Sequence, residues 1–408
     1  MHNMNPLTIC MFSNLYPPVV SGSSTQTSAL ARELTRRGHK TIVVTARVDP
    51  HSPEYEETDG VTIYRLPAFR LPKLPIALNF PWLNYTFTPS NVRRIETILA
   101  RHKPEVLHLH NHMLDLGLSA ALMRRRTGYP LVTTLHTVIR HSQSLYNLVL
   151  YPADRLILKR LVVEQSDQLI CPDVNIKSYA QKAFGRSDAV IVHYGVDLPK
   201  SLDSGRVKQL RDIYNLHGKR IILSLGHVHE IRDRQDLVAA LPEVLRVFPD
   251  TVLLIVGAVS TTIPAQLART LGVEHAVVFV GPVSHQTVPD FLAMADLEAH
   301  WLNQEEPEHT SLGIASLEAM LAGKVVLAAA NPDTYGPGIL VSGENILIVK
   351  SGHPAELAQT IIGLLQDDAR RMAIGQRASQ TIREHFSWDS ICEKTLQVYQ
   401  AAIQKRAG

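Results

Sequence analysis

At 408 residues the chain is too long for one ordinary core, and two domains of roughly 200 residues are expected. Apolar residues make up 45% and charged residues 19%, which excludes a disordered polymer and suits a soluble α/β protein. The net charge of +3 is too small to imply a nucleic-acid partner, so any basic patch has to be local.

The N-terminus, MHNMNPLTICMFS, lacks a charged segment followed by a long apolar one, and reads as a first strand rather than a signal peptide. No run of ~18 apolar residues occurs, so no bilayer span is expected and surface attachment stays open. Short β-rich runs alternate with helix-length amphipathic segments throughout. In the first half they are Leu7–Phe12, Thr41–Thr45, Val61–Tyr64, Val106–His108, Leu131–Leu135, Gln168–Cys171 and Ala189–His193. They resume at Arg220–Leu225, Thr251–Val256, Ala276–Val280, Asp296–His300, Val325–Ala329 and Ile346–Val349. Several are apolar on both faces, as parallel strands covered by helices require, which predicts two doubly wound, Rossmann-like sheets. The polar, Pro- and Gly-containing stretch 197–205 separates them. Domains over 1–200 and 201–375 follow, with a terminal helical segment over 376–408 expected to cross back to the first domain.

Four features stand out in the first half. Residues 16–25 form a Pro/Ser/Gly loop with Gly22, ahead of a helix over Thr27–Arg37. Residues 66–89 carry five prolines, which preclude a continuous helix, and interleave aromatics with Arg70 and Lys73. That stretch is either an excursion packed on the domain or a cationic, aromatic lobe facing an acceptor or membrane. Strand ends deliver His108, His110 and His112, then His136, where clefts of parallel sheets form. Cys10, Cys171 and Cys392 lie far apart without metal-type spacing, so a reducing cytoplasm is favoured and no metal site is expected.

In the second half, Gly226-His227 follows a strand, and Arg232 follows it in the same loop. Arg232 could fork onto a phosphate, or pair with Glu230 or Asp236. Ser311-Leu312-Gly313 then opens a helix that carries Glu318 and stops at Gly323. A helix start presents free N–H groups and partial positive charge, so it can hold a phosphate without metal. A carboxylate inside that helix could take sugar hydroxyls; the alternative is a plain helix–strand unit with a solvated Glu.

These motifs, taken in order, resemble the retaining glycosyltransferases of family 4, which have the GT-B fold of two Rossmann-like domains facing a cleft. The resemblance extends through His193-Tyr194-Gly195-Val196-Asp197, Gly257, Phe279-Val280-Gly281, Gly343-Glu344-Asn345 and Phe386-Ser387-Trp388. It implies a metal-independent, cofactor-free hexosyltransferase. On that resemblance the donor would be a UDP- or GDP-linked sugar, and the acceptor a lipid or saccharide. It also implies a cytoplasmic location, with peripheral contact at the inner membrane face open. Gly22 would approach the donor, with Ser21 in place of the family's first Gly. His227 and Arg232 stand where the family has Arg and Lys clamping the diphosphate, and Asp233 where it has Gly. Of the family's two glutamates, the first position holds Thr310 and the second Glu318, the expected ribose ligand; Glu305, Glu306 or Glu308 could reach the sugar. Ser311, Leu312 and Gly313 would supply the helix start, and His110, beside His136, would orient the acceptor hydroxyl or relay its proton. The donor-side departures leave a degenerate scaffold with a binding or regulatory role as the alternative. Oligomeric state is not encoded legibly.

Overall fold

The computed structural model describes residues 5–19, 21–71, 83–113, 115–140, 144–198, 202–229, 232–300 and 311–407. The chain divides into two compact units, residues 1–195 with 388–408, and residues 196–387.

The first unit is built on eight strands: β1 (Thr8–Ser13), β2 (Lys40–Arg47), β3 (Tyr55–Thr58), β4 (Val61–Pro67), and, after a separate β5–β6 hairpin (Phe69–Leu71, Leu83–Tyr85), β7 (Val106–His110), β8 (Leu131–Thr134), β9 (Gln168–Cys171) and β10 (Val190–Ile191). Their order is β10-β9-β8-β7-β1-β2-β4-β3, and every pairing is parallel except β3 with β4. Because side chains alternate across a strand, β1 sends Ile9 and Met11 into one core and Cys10 and Phe12 into another. Leu30 and Leu34 of the helix Gly22–Arg36 cover the first core. So do Ile391, Leu396 and Tyr399 of the last helix, Trp388–Ala407. The opposite face is covered by Ile95 and Leu99 of Pro89–His102 and by Leu116 and Met123 of Leu116–Thr127. All three cysteine thiols are free and buried.

The second unit holds β11 (Arg220–Leu225), β12 (Thr251–Val256), β13 (Val277–Gly281), β14 (Leu297–His300), β15 (Val326–Ala328) and β16 (Leu347–Ile348). The sheet is wholly parallel in the order β13-β12-β11-β14-β15-β16. The doubly wound architecture that the two-sided apolar runs predict is therefore present twice. The strand order reverses beside β1 in one sheet and beside β11 in the other. Ligands of such sheets bind outside the carboxyl ends of the strands at those points.

Among residues 66–89, the described part is the end of β4, the β5–β6 hairpin and the approach to the helix at Pro89; Lys73, Phe80 and Trp82 lie outside the described residues. No described helix is long and apolar enough to cross a membrane.

Candidate active site

In the second unit the chain leaves β11 through Gly226, whose φ of 109° suits glycine, and its N–H donates to Val256 O at 2.9 Å. The exits of β11 and β12 nearly touch: a Cβ on Gly257 would lie 2.2 Å from Gly226 O. His227, exposed on this loop, bonds through Nε2 to the Ser260 hydroxyl. Arg232 anchors its N–H on His229 O at 2.7 Å, and burial presses its guanidinium pKa down without removing the charge. Among the described residues no carboxylate pairs with that guanidinium. Asp236 instead accepts from Gly352 N at 2.7 Å and Ser351 Oγ at 3.2 Å, and Glu230 lies outside the described residues.

The left-handed backbone that favours glycine falls on Arg234 (φ 66°), one residue beyond Asp233. Asp233 is buried and accepts from the N–H of Gln235, the first residue of the helix Gln235–Val247, at 2.9 Å. Arg234 is fully buried. Its Nε donates to Ser224 Oγ (2.8 Å), Nη1 to Arg232 O (2.7 Å) and Nη2 to Leu225 O (3.2 Å), while Ser224 donates to Ala299 O (2.8 Å). One guanidinium thus ties the loop to both central strands. Burial lowers its pKa to about 10, and Glu298 works against that. Glu298, on β14, is itself wholly buried, and burial raises its pKa to about 8 while Ser316 and Arg234 oppose the rise. Neither of its oxygens reaches a partner with good hydrogen-bond geometry. Arg234 from the loop and Ser316 from the next helix therefore converge on one carboxylate. An acid in the middle of a two-faced parallel strand was the available sequence signal for this cluster.

That next helix, Ile314–Leu321, starts at Gly313 in extended backbone with no side-chain cap. Ser316 and Leu317 donate back to Gly313 O, whereas the N–H groups of Ile314 and Ala315 find no acceptor among the described residues. Leu312 is fixed by Tyr335, whose hydroxyl donates to Leu312 O at 3.0 Å, and Ser311 is half-buried. Glu318 is buried and bonds through Oε1 to His285 Nε2 at 2.7 Å; that bond raises the His285 pKa. His285 comes from a short turn that sequence reasoning passed over. Glu305, Glu306, Glu308 and Thr310 lie outside the described residues.

In the first unit, Gly22 opens the helix behind a capping box between Ser21 and Ser24. Among the described residues, apart from its own neighbours and helix backbone, a Cβ there would meet no atom within 4 Å. The three histidines of β7 and its exit go to three different places. His108 is held by the Tyr399 hydroxyl (2.7 Å) and Thr134 Oγ1 (2.8 Å), and His112 by Asp154 (3.2 Å) and the Tyr179 hydroxyl (3.3 Å). His110 Nδ1 meets His136 Nε2 at 3.1 Å, and His136 Nδ1 meets the Tyr194 hydroxyl at 2.9 Å. The rings of His110, His136 and Tyr194 stack, with centroids 5.3 and 5.7 Å apart. Burial lowers His108 to about 3 and His136 to about 4, and takes His110 well below its usual value, so all three are neutral at neutral pH. His110 Nε2 is buried without a partner. Among the described residues no group of three or more His, Cys, Asp or Glu side chains could hold a metal ion.

Two family models match: "Glycosyltransferase Family 4" over residues 20–200 and "Glycosyl transferases group 1" over residues 219–367. A D-inositol 3-phosphate glycosyltransferase of Kineococcus radiotolerans is 29% identical over 93% of this chain and 90% of its own length. A phosphatidyl-myo-inositol mannosyltransferase of Mycolicibacterium smegmatis is 28% identical over 96% and 92%. Among solved structures, a glycosyltransferase from Rickettsia africae superposes with a TM-score of 0.73 at 17% identity, covering 98% of this chain and 100% of its own. HepE of Anabaena, in complex with UDP and glucose, gives 0.68 at 17% identity over 97% and 100%; at that identity the likeness speaks for the fold alone. The two matched regions together span most of the chain, each on its own Rossmann-like unit, and the protein belongs to the family 4 glycosyltransferases of GT-B fold.

Proposed function

We propose that this glycosyltransferase moves a hexosyl group from a UDP- or GDP-linked sugar to an acceptor hydroxyl, with retention at the anomeric carbon and without a metal ion or cofactor. The observation that carries the donor half is the combination of the Arg232 guanidinium, unpaired among the described residues, with the uncapped start of the helix at Ile314. A fixed cation and oriented N–H groups are what a departing diphosphate needs when no metal neutralises it. In the transfer, the bond between the anomeric carbon and the phosphate oxygen breaks and the diphosphate leaves with the electron pair. The acceptor oxygen bonds to that carbon from the same face, and its proton passes to the departing phosphate. Glu318 takes the ribose hydroxyls through the oxygen that His285 does not occupy.

A phosphorylated polyol is the acceptor class that the names of the two relatives support, and a lipid-borne form has a further observation behind it. The helical segment from Ser144 through a π-turn at Ala153–Leu158 to Leu161 exposes Leu145, Leu148, Val149, Leu156, Ile157 and Leu161. Arg155 and Arg160 are exposed on the same segment, while its acid, Asp154, is turned inward to Tyr179 and His112. An apolar face flanked only by exposed cations suits the headgroup boundary of an anionic leaflet. The test is a nucleotide-release screen of UDP- and GDP-sugars against inositol phosphate and phosphatidylinositol vesicles, with and without EDTA. Release dependent on one donor and one acceptor, and unchanged by EDTA, is expected; release from no donor, or loss with EDTA, contradicts the reading.

A further inference from the structure

The hydrogen-bonded string Tyr194–His136–His110, half-buried at Tyr194 and His136 and buried at His110, has a direction, and hydrogen-bond accounting fixes it. A neutral imidazole carries one N–H and one lone pair, so each ring in a chain passes its polarity to the next. The Tyr194 hydroxyl has His136 Nδ1, at 2.9 Å, as its partner. If the phenol donates, His136 carries its proton on Nε2 and donates to His110 Nδ1, 3.1 Å away. His110 is then left with its proton on Nε2, the atom that is buried and unpartnered. If the string ran the other way, the Tyr194 O–H would lack an acceptor among the described residues and His110 Nε2 would be a second unsatisfied group. One orphan costs less than two, and an unsatisfied buried donor or acceptor costs about 1–3 kcal/mol.

The string is held at both ends. His110 is the last residue of β7, and His136 follows β8, the neighbouring strand. Tyr194 is set by its chain neighbours: His193 Nδ1 bonds to Pro172 O at 2.8 Å, and Gly195 lies flat against Trp388, where a Cβ would come within 2.5 Å of the indole. Gln26 Nε2 also donates to Gly195 O at 3.2 Å. His108, tilted against His110 with centroids 4.1 Å apart, spends both nitrogens on Tyr399 and Thr134 and does not enter the string.

We infer that Tyr194 and His136 are positioning residues that lock His110 as its Nε2–H tautomer, so that His110 serves as a hydrogen-bond donor to a substrate oxygen and not as the base that takes the acceptor proton. This rests on the transferase reading above for the identity of the oxygen, though the tautomer itself does not. In the proposed transfer the proton is then left to the departing phosphate, because the one unpartnered nitrogen of His110 is already protonated.

The test uses the full chain with ¹⁵N-labelled histidine. Long-range ¹H–¹⁵N spectra of the ligand-free protein at pH 7 are expected to show His110 protonated on Nε2. Tyr194→Phe, which deletes only the donating hydroxyl, is expected to give a mixture of both tautomers at His110. Protonation on Nδ1 in the wild type, or an unchanged single tautomer in Tyr194→Phe, overturns the inference whatever the enzyme's donor proves to be. Turnover gives a second reading that survives misfolding of Tyr194→Phe. His110→Gln keeps an N–H donor without a basic nitrogen, and is expected to retain about tenfold more kcat than His110→Ala, the worth of one neutral hydrogen bond at its upper end. Equal kcat in the two variants contradicts a donor role.

Discussion

At the residue scale, the least expected feature is the burial of Arg234 and Glu298, two ionisable groups taken wholly out of water beside the loop that leaves β11. Burial raises the Glu298 pKa from 4.5 to about 8, so the folded protein holds a proton that the unfolded chain releases. Stability from this group is complete below about pH 4.5 and is lost as pH rises to about 8, a change on the order of a few kcal/mol. Glu298→Gln cannot ionise. Its denaturant midpoint is therefore expected to overtake that of the wild type as pH goes from 5 to 8, and parallel curves would show that Glu298 is not held protonated. Arg234→Ala leaves the three acceptors Ser224 Oγ, Arg232 O and Leu225 O without their donor, and is expected to cost about 3 kcal/mol or more in the same assay. A second residue-scale expectation concerns Glu318. Glu318→Gln should weaken nucleotide binding while leaving acceptor affinity alone, because the ribose hydroxyls lose an ionised partner; titration with unchanged nucleotide affinity would remove Glu318 from the site.

At the element scale, the last helix is part of the first unit's core, and its first residue bears on function. Trp388 lies against Gly195, so Gly195→Ala forces a methyl into the indole. Overpacking of this kind costs about 1–3 kcal/mol, and by shifting Tyr194 it is expected to lower kcat beyond what the loss of melting temperature explains. A variant as active as wild type would detach Tyr194 from His110. The exposed helix 144–161 makes its own prediction. Leu148→Asp and Leu156→Asp together should abolish flotation with vesicles rich in anionic lipid without altering the melting temperature, since both side chains are more than 60% exposed. Flotation unchanged would mean that this face meets something else. The strands that carry these parts were legible from sequence because apolar runs such as Thr251–Val256 and Leu131–Thr134 declare two-sided burial locally. The polar wiring was not. Arg234 sits in the run Asp233-Arg234-Gln235-Asp236, which reads as solvated, and Glu298 in an otherwise ordinary strand. His285 meets Glu318 across 33 residues and Tyr194 meets His136 across 58, distances over which no local pattern speaks. His110 and His136 were legible as a pair because both stand at the ends of adjacent parallel strands.

At the scale of the whole molecule, the proposed transfer would divide its labour between two Rossmann-like units. The second carries the Arg232 guanidinium, the uncapped helix start at Ile314 and the Glu318 carboxylate; the first carries His110 at the end of β7 and an apolar, cation-edged helix. The two family models match one on each unit. The account depends most on the diphosphate being gripped by Arg232. Isothermal titration of the full chain with UDP and with GDP, in the presence of EDTA, measures this directly. One of the two should bind the wild type, and Arg232→Ala should weaken it by at least about tenfold, the worth of a charge-assisted hydrogen bond to phosphate. Binding of neither nucleotide, or equal affinity in the variant, would contradict the account.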